Sequence, residues 1–125
     1  MTDAHAYRHM QPAHESIIVF NRPNERGVLV IKRVIAIGSD TIRSVNGQIY
    51  LNDKILNEPY VSHTGGATDD MMNFGPIKIP PGKLFVMGDD RDISLDSREV
   101  GFGLVDDSDV IGGALYVFSA GKYIH

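Results

Sequence analysis

The run VLVIKRVIAI, residues 28–37, limits what this chain can fold into more than any other stretch. Both parities are apolar, with Val28, Val30, Val34 and Ala36 on one and Leu29, Ile31, Ile35 and Ile37 on the other. That pattern predicts a strand covered on both faces rather than one face turned to water. Lys32 and Arg33 interrupt it. A charge is rarely buried unless it is paired or neutralised. On a face shared with valines, desolvation disfavours the ammonium form, so Lys32 is a candidate general base. The plainer reading is a lysine that reaches the sheet edge or pairs with a carboxylate.

The rest of the chain supplies partners for such a strand. ESIIVF reads as a strand ended by the turn chemistry of NRPNERG. DTIRSVNGQIYLND places two strand-like halves around Asn46-Gly47, the signal for a two-residue type I′ hairpin. KLFVMG and DVIGGALYVF supply further strands, and the segment between NEPY and FGPIKIPPG reads as a surface excursion. No amphipathic helix of useful length is evident. The expected architecture is mainly β, built of short strands and a closed or folded-over sheet. Residues 1–14 lack periodicity and are expected to form an irregular arm, with one β domain over residues 15–125.

At 125 residues the chain fits one domain with its own core. Its net charge is -4 and its basic residues are dispersed, which argues against nucleic acid or an anionic membrane surface as partner. With no cysteine, thiolate catalysis and disulfides are excluded. No apolar run is long enough for a bilayer and the amino terminus lacks a signal-peptide core. The expectation is a chain without a membrane anchor, cytoplasmic as written, and membrane-bound or exported only if an upstream segment exists.

Metal is not expected either. His5, His9 and His14 lack the spacing of a helical zinc motif. Asp90, Asp92, Ser94 and Asp96 alternate like the start of a calcium loop, but Leu95 and Gly101 occupy the places that would need Gly and Glu. MGDDRDISLDSREVGFG is better read as a hydrogen-bonded loop in which Arg91 and Arg98 neutralise nearby aspartates. No cofactor is implied.

Taken together, VLVIKRVIAIGSDTI, GQIYLNDKILNEPY, IPPGKLFVMGDDRDISLDSREVGFGLV and VIGGALYVF resemble the bacterial type I signal peptidases of peptidase family S26. These are membrane-anchored serine/lysine endopeptidases that remove signal peptides. The resemblance runs from about Glu15 to Phe118, with several motifs in the family's order. It implies coiled antiparallel sheets, as in signal peptidase I and the LexA-like serine-lysine peptidases. It also implies a hydrophobic groove in which an extended peptide pairs as an added strand. Lys32 takes the place of the family's general base, with Arg33 beside it. Ser94 falls where a hydroxyl orients that lysine, and Asp96 and Arg98 fall at an ion pair that holds the loop.

The departures bear on function. The family's nucleophile lies in a Ser-Met-x-Pro stretch, whereas here the only Met-x-Pro is HMQP, with His9 in the serine's place. Family members place a hairpin between the nucleophile and the strand that resembles ESIIVF, and the residues from Pro12 to Ser16 are too few to hold one. Ser16 falls where the family has a structural aspartate, and Asp90 and Ile93 replace common asparagines. Three functions are therefore compatible. One is a signal-peptidase-like protein that binds a peptide or hydrophobic ligand without serine-type proteolysis. The second is an enzyme using Lys32, with an arm histidine, for acid/base chemistry on a small apolar substrate. The third is a peptidase whose nucleophile is Ser16 or lies outside this chain.

Overall fold

The structure, a computed structural model, describes residues 12–63 and 65–113, apart from the Arg26 side chain. His5, His9 and the ALYVF end of the last expected strand lie outside the described residues. Among the described residues, nine strands form two antiparallel sheets. They are β1 (Ile17–Arg22), β2 (Glu25–Ile37), β3 (Thr41–Val45), β4 (Gln48–Leu51), β5 (Lys54–Ile55), β6 (Phe74–Lys78), β7 (Lys83–Met87), β8 (Val105–Asp106) and β9 (Val110–Gly113). One sheet has the order β8-β7-β2-β1-β9 and the other β5-β4-β3-β6. The surface excursion before β6 contains a single helical turn, α1 (Asp69–Met72).

Local chemistry explains the joints. Asn46 and Gly47 connect β3 to β4 with φ of 50° and 84°, as a type I′ turn requires of both central residues. Between β2 and β3, the Asp40 carboxylate accepts from the Ile37 amide at 2.9 Å and from Asn52 Nδ2 at 2.9 Å. His14 Nε2 lies 2.6 Å from the same carboxylate, so this exposed histidine is tied to the turn. Burial alone would raise the Asp40 pKa, but these bonds outweigh it and hold the carboxyl below its ordinary range.

Alternation along β7 builds the core. Leu84 and Val86 join one cluster with Ile18, Phe20, Val34, Phe102, Val105 and Val110. Phe85 and Met87 join a second with Ile35, Ala36, Ile42, Ile49 and Ile79. β7 is thus the strand covered on both faces, and β2 is so covered only in its second half. There a bulge between Val34 and Ala36 breaks the strict alternation. Ile35 and Ala36 both turn to the second cluster, and Ile37 packs on the first. The expectation that Ala36 shares a face with Lys32 is corrected by that extra residue. Val28 and Leu29 are 42% and 58% exposed, which also corrects the expectation of cover along the whole run.

Candidate active site

Pairing decides where β2 is open. β1 pairs with Leu29 to Arg33 along one edge, whereas β7 pairs along the other edge only from Arg33 to Ile37. Among the described residues, no strand meets that second edge at Val28 to Lys32. A cleft of about 220 Å³ lies there, lined by residues 28–32 of β2, by Arg22, and by Leu95 and Phe102 from the loop between β7 and β8. Lys32 stands at its inner end, where the open edge becomes a paired one.

The Lys32 side chain is buried, and its Nζ donates to Ser94 Oγ at 2.9 Å. Ser94 is itself 3% exposed, so the bond is kept from water. Desolvation is the largest influence on Lys32 and lowers its pKa. The Asp96 and Asp89 carboxylates pull the other way, the Arg98 guanidinium assists the lowering, and the result stays below the ordinary lysine value.

Charge pairs hold the loop that brings Ser94 back over β2. Asp96, with no exposed surface, receives Arg98 Nε at 2.8 Å and Nη2 at 2.9 Å, as well as the amides of Gly88 and Arg98 at 3.0 and 3.1 Å. Ser97 bonds across to Val86 through both its amide and its hydroxyl, each at 3.0 Å. Arg33 meets Asp89 as a fork, with Nε at 2.9 Å and Nη2 at 2.7 Å, and its guanidinium lies 3.9 Å from the centre of the Tyr60 ring. Burial and the nearby Glu58 carboxylate push the Tyr60 phenol up.

The structure therefore gathers Lys32, Arg33, Ser94, Asp96 and Arg98 into one constellation. His9 lies outside the described residues. Ser16 is not part of the cluster, because its hydroxyl donates to the Ala13 carbonyl at 2.6 Å. Arg91 differs from expectation. Its guanidinium pairs not with an aspartate of its own loop but with Glu58, at 3.1 and 2.7 Å, while its Nε donates to the Gly88 carbonyl at 2.8 Å. Asp92 instead lies 3.2 Å from His63 Nδ1 and accepts from the Gly65 amide at 2.5 Å. These bonds, Gly65 first, hold its carboxyl below the usual range. Glu58 was missed because its partner is 33 residues away in sequence, and the one available clue was that NEPY falls in a stretch with family resemblance. Among the described residues, no group of three or more His, Asp or Glu could hold a metal, and no helix is long and apolar enough to cross a membrane.

A mainly β fold of antiparallel sheets that brings a buried lysine against a serine hydroxyl falls within the architecture of the serine/lysine peptidases. The comparisons narrow that class: residues 1–119 match the family described as signal peptidase, peptidase S26, and the chain belongs to that family. Signal peptidase I of Bacillus licheniformis is 39% identical over 106 residues, covering 81% of this chain and 56% of that protein. Signal peptidase I S of Bacillus subtilis is 38% identical over 111 residues, covering 82% and 56%. The chain thus spans little more than half the length of these curated relatives. A solved signal peptidase I from Enterococcus faecalis superposes with a TM-score of 0.66 at 30% identity, covering 83% of this chain and 97% of that one.

Proposed function

We propose that this chain is a signal-peptidase-type domain that takes an extended peptide as an added strand along Val28 to Lys32, without cleaving it by the family's serine mechanism. One observation carries the reading: the edge of β2 that no described strand pairs, the apolar-lined cleft and the Lys32 amine coincide. An unpaired edge offers backbone donors and acceptors to an incoming strand, and the flanking pockets choose its side chains. Its lining of Val28, Leu29, Val30, Ile31, Leu95 and Phe102 suits apolar side chains. Lys32 lies at the end of that track, poised to accept a proton from a hydroxyl or water beside the peptide backbone.

General-base catalysis by a serine mechanism needs a nucleophilic hydroxyl within hydrogen-bond reach of the base. Among the described residues Ser94 is the one hydroxyl that Lys32 holds, and it is buried where it steadies the lysine. By the resemblance, either His9 of HMQP replaces the family's nucleophilic serine or the nucleophile strand is absent from this sequence, since too few residues separate HMQP from β1. A second reading is a working signal peptidase whose nucleophile comes from sequence beyond the described residues. The preserved Lys32–Ser94 pair favours it, because peptide binding alone does not require a buried amine. Acid/base chemistry on a small apolar substrate is supported less: the described lining of the cleft offers Lys32 and Arg22, with no carboxylate or histidine among them.

The test is incubation of the chain with a peptide carrying an Ala-x-Ala site, beside Lys32→Ala and Ser16→Ala variants. The proposal expects saturable binding and no cut. Cleavage at that site by the parent, lost in Lys32→Ala, would install the second reading, and its further loss in Ser16→Ala would name the nucleophile.

A further inference from the structure

The loop that presents Ser94 is held at two ends by different means. Its C-terminal end is fixed from within, by the Asp96–Arg98 pair and by Ser97 against β7. Its N-terminal end is fixed from outside, by Glu58, Ser62, His63 and Gly65. The Ser62 amide donates to the Asp89 carbonyl at 2.8 Å, and the Ser62 carbonyl accepts from the Arg91 amide at 3.1 Å, a short parallel bridge. Glu58 grips Arg91 with two bonds, and both side chains are almost fully buried, at 8% and 4% exposure. The Ser94 amide in turn donates to the Asp90 carbonyl at 3.1 Å, so the position of Ser94 follows that of the Asp90-Arg91 turn. Two residues beyond Glu58, Tyr60 stacks on Arg33, the neighbour of Lys32.

We propose that Glu58 and Arg91 are positioning residues for the Lys32–Ser94 pair, with the Glu58–Ser62 segment acting as an external brace that holds Ser94 against the lysine. The inference rests on the reading of Lys32 as a base that works as an amine. A buried bidentate pair suits the task, because the fork fixes direction as well as distance. It also makes a poor surface decoration, since desolvating both charges offsets much of their attraction. When the brace is removed, the Asp90-Arg91 turn is free to shift, Ser94 withdraws, and water reaches the amine. The proton affinity of Lys32 then rises toward that of an exposed lysine.

The experiment follows the Lys32 side-chain carbons by NMR through a pH titration in the parent, in E58Q and in the double variant E58L/R91M. E58Q leaves Arg91 buried without its counter-charge and can cost the fold, whereas the double variant leaves no unpaired charge behind. The expected result is a midpoint raised by about one pH unit in the double variant, a tenfold gain in proton affinity, with the fold retained. In an S94A background the same double substitution should raise the midpoint little further, since the brace acts through Ser94. An unchanged midpoint in a folded E58L/R91M protein would overturn the positioning role and leave the pair a structural one. A parent midpoint at the ordinary lysine value would instead overturn the base reading on which the inference stands.

Discussion

Within β2, Val28 to Lys32 and Arg33 to Ile37 have almost the same composition and opposite surroundings. Leu29 in the first half is 58% exposed, whereas Ile35 in the second is 1% exposed. The difference arises from the neighbours. β7 is five residues long, runs beside Arg33 to Ile37 and then ends, and the second sheet packs over the same half. Among the described residues, nothing pairs with Val28 to Lys32 along one edge and part of one face. Hydrophobicity that builds a core in one half lines a cleft in the other, which the proposed function reads as a binding surface. Lys32 and Arg33 mark the boundary, where Lys32 is buried enough to lose proton affinity and still lines the cleft.

Truncation should separate the halves most strongly. Ile35→Ala removes a fully enclosed side chain and is expected to cost about 2–5 kcal/mol in urea unfolding. Leu29→Ala is expected to stay within about 0.5 kcal/mol of the parent. Equal losses at both positions would mean that the open half is covered in solution, and the contrast would be lost.

A smaller, pH-dependent effect sharpens the boundary. Because the folded-state pKa of Lys32 lies below its unfolded value, the unfolded chain binds more protons between the two. The lysine therefore weakens the fold most below its folded pKa, and that penalty fades as pH rises to about 10.4, the ordinary lysine value. Each tenfold loss of proton affinity is worth about 1.4 kcal/mol. Lys32→Met should therefore be more stable than the parent near neutral pH, by a margin that shrinks toward alkaline pH. A margin constant with pH, measured by chemical denaturation at several values, would show that Lys32 titrates as an exposed lysine.

Much of this was legible in the residues themselves. The Asn46-Gly47 hairpin, the short strands and the oddity of a lysine within VLVIKRVIAI follow from local chemistry. The resemblance then pointed to Ser94, Asp96 and Arg98, which the structure places around that lysine. Three things were hidden for physical reasons. Apolar parity does not reveal which neighbour stops short, so the open half of β2 read as covered. A one-residue bulge at Ile35 reversed the facing of Ala36 and Ile37 without any glycine or proline to announce it. Arg91 chose a distant glutamate over the aspartates beside it, because an ion pair answers to proximity in space and four aspartates within one loop gave no reason to look elsewhere.

The central claim is that a peptide adds to the open half of β2 and stops at Lys32. Backbone amide shift mapping with an unlabelled peptide ending in Ala-x-Ala tests it most directly. The account predicts saturable shifts concentrated at Val28 to Lys32 and at Leu95, with Val34 to Ile37 unmoved. Shifts centred on the second half of β2, or spread evenly over both sheets, would contradict it.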